Sequence, residues 1–416
     1  MSTSASHAPS CRACGTLLHR TFVDLGMSPA CEAIVAADQL HAMEPFYPLH
    51  VFVCEHCLLV QLDEYIRPEH IFSEYAYFSS YSDSWLAHAK AHAETMTREL
   101  HLGAKSRVIE LASNDGYLLQ YFAALDIPVL GIEPALNVAR EALRKGIPTV
   151  TKFFGRELAQ ELVAQEVQAD LLVANNVLAH VPDVRSFVAG MKLLIKPGGI
   201  ATIEFPHLAR LIEGNQFDTI YHEHFSYFSF LTARRLLAGF GLTVFDVEEL
   251  ATHGGSLRLH VCHEEDASRP ICDRVHELAW REEKQGFARL STYASFAQKV
   301  QATKRQILQF LIDAKARGRS VVGYGAPGKG NTLLNYCGIR TDFIDYVVDR
   351  NPYKHGKYLP GTHIPVFPPE RIRESRPDFV VVMPWNLKDE IQQQLAYVRN
   401  WGGRLVVFIP EVEVLE

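Results

Sequence analysis

The 416-residue sequence lacks the features of a secreted, membrane-spanning or nucleic-acid-binding protein. Its first residues, Met-Ser-Thr-Ser-Ala-Ser-His, contain neither a basic start nor an apolar core, so no signal peptide is predicted. Its apolar runs are the length of strands, and none approaches a membrane span. A formal net charge of -7 argues against generalised nucleic-acid binding, although a local patch could still hold a small anion. We therefore expect a cytoplasmic protein with no membrane or nucleic-acid partner.

What is present is enough apolar sequence for two or three globular domains. Hydrophobic residues make up 48% and charged residues 21% of the chain, which is longer than one domain usually is. Strand and helix patterns alternate over 105–262, as a doubly wound parallel sheet requires, residues 266–318 are charged and helical, and a second α/β pattern starts at Ser320. We predict an α/β fold. The predicted domains are 1–70, 71–265 and 266–416.

The stretch 107–119 is predicted to form a strand, a turn and a helix that bind a nucleotide-like ligand. An apolar run ends at Glu110, the turn carries Asn114, Asp115 and Gly116, and apolar residues then return at helical spacing. The turn has one glycine where a pyrophosphate-binding G-x-G-x-x-G turn has three, so it does not offer a diphosphate cradle. This favours S-adenosylmethionine over NAD or FAD as the cofactor.

Two later strand ends support a cofactor site at the same sheet edge. Glu133 ends the next strand, where a carboxylate can accept hydrogen bonds from both ribose hydroxyls. Asn175 and Asn176 end a third strand, and their amides can bond an adenine edge or line the site. For the first stretch alone, a buried strand with an ordinary connecting turn is the alternative. The predicted cofactor-binding residues are Glu110, Ala112, Asn114, Asp115, Gly116, Glu133, Asn175 and Asn176.

The first part of the chain contains two C-x-x-C pairs. Cys11 and Cys14 form the first pair, and Cys54 and Cys57 the second. Together they can supply the tetrahedral four-sulfur shell that Zn²⁺ prefers, and no position is left for water, so we predict one structural zinc. The alternatives are reduced structural cysteines or a thioredoxin-like redox pair, which would need a pair that follows a strand in a βαβ unit.

A cluster of ionisable side chains lies at 221–225, with the sequence Tyr-His-Glu-His-Phe. It is not the H-E-x-x-H of a metalloprotease helix, because residue 226 is Ser, and the chain has no G-x-S-x-G esterase elbow. His180 follows the strand that ends in Asn176, so it would face the crevice where open α/β sheets bind ligands. Taken alone, His180 could equally be a structural histidine.

Three further segments are candidates for substrate contact. Tyr75 and Tyr77 lie in a tyrosine- and serine-rich segment that suits the wall of a polar site, or plain inter-domain packing. Arg258 ends the sequence His-Gly-Gly-Ser-Leu-Arg, which could supply a cation or be a glycine-rich hairpin. Lys329 lies inside a G-x-G-x-x-G loop that follows a strand. Because Pro327 fits an NAD fingerprint poorly, a substrate's nucleotide diphosphate is the better ligand; a purely structural Rossmann-like domain is the alternative.

In combination, these motifs make nearly the whole chain, from Cys11 onward, resemble one family: the three-domain, S-adenosylmethionine-dependent sugar C-methyltransferases that act on nucleotide-linked 4-keto-deoxysugars. The resemblance implies a small N-terminal zinc-binding domain, a central class I methyltransferase Rossmann-like domain, and a C-terminal Rossmann-like α/β domain that helps to hold the nucleotide sugar. One departure is Ala112, where many methyltransferases have glycine.

The resemblance also implies a reaction, namely methylation of a sugar carbon, usually C-3' beside the C-4 ketone. A base removes a proton next to the ketone, and the resulting enolate attacks the methyl group. His224 is the leading base, with Glu223 orienting it or the sugar, and with Tyr75, Tyr221 and His180 beside it; which of these takes the proton stays open. The expected substrate contacts are Tyr77, His222, Arg258 and Lys329. The expected partner is a nucleotide-diphosphate 4-keto sugar, with dTDP as the nucleotide, bound to a monomer.

Two other functions remain open on the sequence. An O-methyltransferase would also use a histidine base but would not need a C-terminal nucleotide-binding domain. A non-catalytic zinc module on a methyltransferase-like scaffold would have no reason to retain Tyr221, Glu223, His224 and Glu133.

Overall fold

The computed structural model describes residues 9–69 and 78–415, which divide into two compact units. The described parts of the first unit are 9–19, 54–69, 78–207 and 223–289, and those of the second are 20–53, 208–222 and 290–415. Tyr75 and Tyr77, which are predicted to line the substrate site, lie outside the described residues. Within the described part of the chain, no helix has the length and apolar character needed to cross a bilayer.

The strands are named in chain order. They are β1 Arg20–Ser28, β2 Tyr47–Val53, β3 Val60–Leu62, β4 Val108–Leu111, β5 Val129–Ile132, β6 Thr149–Val150, β7 Ala169–Asn175, β8 Ile195–Pro206, β9 Ser226–Tyr227, β10 Leu242–Leu250, β11 Ser256–His263, β12 Val321–Tyr324, β13 Val347–Val348, β14 Val366–Phe367, β15 Phe379–Val382, β16 Arg404–Val407 and β17 Glu413–Leu415. The α-helices are α1 Asp83–Glu99, α2 Leu119–Ala123, α3 Leu136–Arg144, α4 Arg156–Ala164, α5 Val184–Leu194, α6 Leu208–Glu213, α7 Phe230–Ala238, α8 Asp273–Gln285, α9 Ser291–Ala294, α10 Phe296–Ala316, α11 Gly328–Cys337, α12 Arg371–Ser375 and α13 Lys388–Gln394.

The first unit contains a seven-stranded sheet in the order β10-β11-β8-β7-β4-β5-β6. Neighbouring strands from β8 to β6 pair in parallel, whereas β11 pairs antiparallel with both β8 and β10. The predicted α/β fold is therefore confirmed, but β11 runs against the other strands of a sheet that the sequence indicated to be parallel throughout. The central strands β4 and β7 are buried along almost their whole length, as is typical of strands inside a covered sheet.

Helix α1 shows how the sequence builds this core. Ser82 caps the helix, with its hydroxyl accepting from the Trp85 amide at 3.3 Å. Its buried residues include Ala89, Ala93 and Met96, which recur at helical spacing. They pack in one cluster with residues of α2 and of the central strands, so α1 is fixed beside the sheet. Burial of a side chain such as that of Met96 stabilises the fold by about 1.5–3 kcal/mol.

The second unit has its own sheet, in the order β14-β13-β12-β15-β16-β17, with every neighbouring pair parallel except β16–β17. The predicted second Rossmann-like sheet is thus confirmed. At Gly323 in β12, a Cβ would come within 2.7 Å of a Val347 methyl carbon, so the close approach of β12 and β13 requires glycine. The unit also contains the antiparallel pair β1–β2 and the helices α9 and α10.

Candidate active site

Buried polar side chains meet at the carboxyl ends of β4 and β7 in the first unit. Glu110 is fully buried, and Asn175 and Asp115 nearly so. Both carboxylate oxygens of Glu110, both polar atoms of the Asn175 amide and Oδ1 of Asp115 lack a hydrogen bond of ordinary geometry to any described residue, although the Tyr117 phenol lies close to Glu110 and Asn175. A buried polar atom without a partner costs about 1–3 kcal/mol, so this edge suits a ligand with several polar groups. Burial raises the pKa of Glu110 well above its ordinary value.

The turn after β4 is compact because its backbone is left-handed at several positions. Ala112, Asn114 and Gly116 have φ angles of 55°, 50° and 76°. The Asn114 Oδ1 atom accepts hydrogen bonds from the Asp115 and Ser79 amides, each at 3.0 Å. Asparagine tolerates this conformation through such local hydrogen bonds, whereas alanine does not gain them. The departure at Ala112 therefore falls on a position that favours glycine.

Glu133 joins this turn to the end of β5. Its Oε2 accepts from the Asn114 amide at 3.0 Å and its Oε1 from the Ala135 amide at 2.8 Å. Burial raises the pKa of Glu133, and the two amide hydrogen bonds oppose that rise. Each carboxylate oxygen can accept a second hydrogen bond, so Glu133 is oriented as an acceptor for two neighbouring hydroxyls. The role of Glu133 as a ribose-binding acid stays a prediction.

Lys145, which the sequence did not single out, holds the far side of the turn. Its Nζ donates to Oδ2 of Asp115 at 2.9 Å and to the Ser80 hydroxyl at 2.9 Å. Because Asp115 is only 1% exposed, this ion pair compensates a buried charge and fixes the Asp115 carboxylate.

An aromatic group that the sequence analysis missed stands beside the same strand ends. The Trp85 ring lies 5.0 Å from His88, 5.9 Å from Tyr117 and 5.4 Å from His253, measured between centroids. The Asn176 amide donates to the His253 ring at 3.1 Å, which ties this group to the end of β7. Tyr117 lies close to Glu110, and burial raises the pKa of its phenol. The one sequence signal for Tyr117 as a site residue is its position directly after Gly116 of the turn.

Two of the predicted catalytic residues are in contact. The ring centroids of His180 and His224 are 4.6 Å apart and nearly perpendicular. Their two segments are held together by the Phe225 amide, which donates to the Ala179 carbonyl at 2.8 Å. Burial lowers the pKa of His180 to about 4, while the Glu223 carbonyl opposes the shift. His180 is therefore neutral at physiological pH. It lies five residues after Asn175, the last residue of β7, and His224 contacts it from the segment before β9.

Arg258, predicted as a substrate cation, lies in a buried ionic network. Its Nη2 donates to Oε2 of Glu204 at 2.7 Å, and His88 donates to the same oxygen at 2.9 Å. The Thr252 hydroxyl donates to the other oxygen at 3.0 Å. Burial opposes ionisation, yet His88 and Arg258 hold the pKa of Glu204 below its ordinary value. The charge of Arg258 is thus compensated within the sheet, where β11 pairs Arg258 with Glu204 of β8.

Three predicted site residues, Tyr221, His222 and Lys329, belong to the second unit. The buried His222 ring packs edge-on against Tyr47 at 5.7 Å and donates to the Pro48 carbonyl at 3.2 Å. Burial lowers its pKa. Tyr221 is only partly buried.

Lys329 lies at the start of α11, where its Nζ donates to the Asn386 amide oxygen at 2.7 Å and sits 4.6 Å above the Trp385 ring. Burial lowers the pKa of Lys329, and the charge of Asp218 opposes the shift. Asp218 in turn accepts from the Trp385 indole at 2.7 Å, and burial raises its pKa to about 6.

The four cysteines of the two C-x-x-C pairs converge in the first unit. Their Sγ atoms all lie within 4.8 Å of one another. The Cys11–Cys57 and Cys14–Cys54 sulfur separations are 3.5 and 3.6 Å. A tetrahedral shell with Zn–S distances of about 2.3 Å has sulfur separations of about 3.8 Å, so this cluster fits zinc. A hydrogen bond from Cys57 lowers the pKa of Cys11, whereas that bond and burial raise the pKa of Cys57.

The mixed seven-stranded sheet and its polar strand ends define the class I methyltransferase fold. Family models agree: residues 11–72 match a zinc binding domain, 85–247 a methyltransferase domain and 251–410 a C-methyltransferase C-terminal domain. The chain is 34% identical over 406 residues to the C-methyltransferase NovU of Streptomyces niveus, a match covering 97% of this chain and 96% of that protein. The chain belongs to this C-methyltransferase family. It is an S-adenosylmethionine-dependent C-methyltransferase with a zinc-binding domain, which confirms the predicted family, cofactor and metal.

Other matches cover less than half of the chain. A ubiquinone biosynthesis O-methyltransferase of Acinetobacter baylyi is 34% identical over 101 residues, which are 23% of this chain and 42% of that protein. The structure of magnesium protoporphyrin IX methyltransferase from Synechocystis PCC 6803 with bound S-adenosylhomocysteine matches at 14% identity and a TM-score of 0.34, covering 42% of this chain and 81% of that chain.

Proposed function

We propose that the enzyme methylates C-3' of a dTDP-linked 4-keto-deoxysugar, next to the C-4 ketone, in deoxysugar biosynthesis. The observation that carries the proposal is the histidine pair. His180, which follows β7, contacts His224, and β7 ends at Asn175, on the sheet edge where Glu110 and Asn175 have buried polar atoms without partners in the described chain. A proton acceptor beside a cofactor site is what carbon methylation requires, because a C–H carbon is not nucleophilic until it is deprotonated.

The cofactor is assigned to the carboxyl edge of β4, β5 and β7. In this proposal Glu133 accepts hydrogen bonds from the ribose hydroxyls, and Asn175 and Asn176 meet the adenine edge. The turn with Ala112, Asn114, Asp115 and Gly116 holds the methionine part. Bound S-adenosylmethionine supplies an electrophilic methyl group. The orphaned polar atoms of Glu110, Asn175 and Asp115 support this assignment, since a polar ligand would satisfy them.

His224 is proposed as the general base. It takes the proton from the carbon beside the ketone, the electron pair moves onto the ketone oxygen as an enolate, and His224 becomes positively charged. The neutral state of His180 matters here, since a charged neighbour at ring-contact distance would oppose that positive charge. Glu223 is buried and directly precedes His224 in the chain, and its negative charge would compensate the positive charge of His224. Tyr75 and Tyr221 are proposed to stabilise the enolate oxygen.

The substrate's nucleotide is assigned to the second unit. Lys329 follows the glycine turn after β12, where backbone amides and a cation can meet a diphosphate. Its contacts with Asn386 and with the Trp385 ring hold the ammonium in place. Tyr77, His222 and Arg258 are the remaining proposed substrate contacts, although Arg258 would act through its network with Glu204.

Deuterium wash-in tests the reaction directly. In D₂O with S-adenosylhomocysteine, the enzyme is expected to exchange the proton beside the ketone of a dTDP-4-keto-deoxysugar, followed by NMR of the sugar. His224→Gln should slow the exchange by roughly 10²–10⁴-fold, the contribution of a general base, with S-adenosylhomocysteine affinity unchanged. His276→Gln, at an exposed position of α8, is the matched control. Turnover that methylates a hydroxyl without any exchange would identify an O-methyltransferase instead.

A further inference from the structure

Arg12 lies inside the first cysteine pair, yet its side chain contacts segments far along the chain. Its Nη1 donates to the Pro182 carbonyl at 2.9 Å, and its Nη2 donates to the Leu62 carbonyl. The guanidinium carbon lies 5.4 Å from the centroid of the Phe225 ring. One planar side chain thus contacts three separate segments of the first unit.

Two of these segments carry the histidine pair. Pro182 is two residues after His180, and Phe225 directly follows His224. Phe225 is fully buried, and its carbonyl accepts from the Leu62 amide at 3.0 Å. A shift of the guanidinium would therefore move the backbone on both sides of the histidine contact.

The backbone of Arg12 is tied to the cysteine cluster by hydrogen bonds. Its backbone amide donates to the Gln61 side-chain oxygen at 2.9 Å, and the Gln61 amide donates to the Cys11 sulfur at 3.2 Å. Hydrogen bonds of this kind around a metal ligand fix its orientation. The position of Arg12 is thereby set by the same groups that hold the metal.

Arginine suits this role for a geometric reason. The flat guanidinium can donate to two carbonyls in its plane while its face rests on an aromatic ring, which a lysine ammonium cannot do. Arg12 is half-buried and its Nε has no hydrogen-bond partner among the described residues, so the two hydrogen bonds from Nη1 and Nη2 supply what compensation there is for its lost hydration.

We propose that Arg12 is a positioning residue through which the zinc cluster fixes the geometry of the His180–His224 pair. The zinc then has a second role beyond stabilising its own domain, because it anchors the residue that aligns the proposed base. The alignment of His180 and His224 by Arg12 does not depend on the identity of the substrate. Its effect on the rate of proton removal rests on the proposed function.

The test compares Arg12→Lys with Arg235→Ala in the full-length, zinc-loaded protein. Arg235 is exposed and donates to the Cys57 carbonyl at 3.4 Å, so its removal costs one bond to the cluster and leaves the contacts of Arg12 intact. Three quantities are measured: zinc content, the histidine ring signals in ¹H–¹⁵N NMR, assigned with His180→Gln and His224→Gln, and the rate of deuterium wash-in with its pH profile.

For Arg12→Lys we expect retained zinc, shifted His180 and His224 ring signals, and wash-in slowed by roughly tenfold to a hundredfold, with a displaced pH profile and unchanged KM for the sugar. Arg235→Ala should match the wild type in all three. Unchanged ring signals in Arg12→Lys would overturn the proposal, as would loss of zinc from Arg12→Lys, which would make Arg12 a support of the cluster. Shifted ring signals with no wash-in in the wild-type protein would uphold the alignment and refute the proposed reaction.

Discussion

Ala112 occupies a backbone conformation that costs an alanine more than a glycine, at 55° in φ. The strain of a left-handed alanine is about 1–2 kcal/mol. The greater conformational freedom of glycine in the unfolded chain offsets about half of the stability that relieving this strain would add. Ala112→Gly should therefore raise the free energy of unfolding by up to about 1 kcal/mol in urea titration. Ala124→Gly, at the exposed C-cap of α2 with a φ of -64°, relieves no left-handed strain and should lower it slightly, because glycine adds freedom to the unfolded chain. Equal losses in both variants would show that Ala112 carries no strain.

Glu133 can be tested as a cofactor residue without any substrate. Each of its carboxylate oxygens accepts a hydrogen bond from a backbone amide, of Asn114 or of Ala135. Glu133→Gln replaces one of these oxygens by an NH₂ group, which would face a backbone N–H and displace the side chain that would meet the ribose. A cost of about 1–3 kcal/mol corresponds to S-adenosylhomocysteine binding weakened by roughly tenfold to a hundredfold, measured by calorimetry. Glu141→Gln removes a half-exposed carboxylate paired with Arg144 on the neighbouring α3 and should bind normally. If both variants bound equally, Glu133 would not be a ligand.

At the scale of elements, the cysteine cluster joins two distant C-x-x-C pairs of the first unit, so zinc closes a long loop there. Cys54→Ser removes a fully buried ligand and should lose the zinc, which metal analysis would show, together with a lower thermal midpoint. Cys272→Ser, outside the cluster, should keep both the metal and the midpoint. Full zinc content in Cys54→Ser would contradict the four-sulfur assignment.

The features predicted correctly from sequence are those with a fixed local pattern. The cysteine pairs follow from spacing and thiolate chemistry, and β4 and β7 from short apolar runs with a polar residue at or next to their ends. The domain boundaries at 70 and 265 and the roles of the site residues stay predictions. The two compact units do not correspond to consecutive sequence domains, because each unit is built from three separate segments of the chain.

The features that sequence could not give depend on how elements pack. Trp85 and His88 reach the strand ends only because α1 lies beside the sheet, and an alanine-rich helix gives no sign of that. The charge of Arg258 is compensated because the register of β8 and β11 pairs it with Glu204. Register follows from the assembled sheet, so Arg258 looked like a free cation in the sequence.

At the scale of the whole molecule, the units bury ionisable groups with opposite effects on acid stability. His92, in the first unit, is buried against Thr202, and burial together with Arg258 and neighbouring histidines lowers its pKa. Its unfolded form binds a proton that the folded form does not, so this group's contribution to stability falls as pH drops below about 6.5. Asp218, in the second unit, acts the other way. Burial raises its pKa from 3.8 to about 6, so the folded form holds the proton in that range.

Asp218→Asn should therefore stabilise the protein more at neutral than at acidic pH. The ionised Asp218 carboxylate costs folding energy as pH rises through its folded pKa of about 6, whereas asparagine cannot ionise and can still accept from the Trp385 indole. Relative to the wild type, the free energy of unfolding of the variant should gain about 2 kcal/mol between pH 4.5 and 7.5, measured by urea titration. His92→Gln should show the opposite trend, with its deficit against the wild type shrinking as the pH falls. A pH-independent difference for Asp218→Asn would mean that the charge of Lys329 keeps the carboxylate ionised in the folded protein.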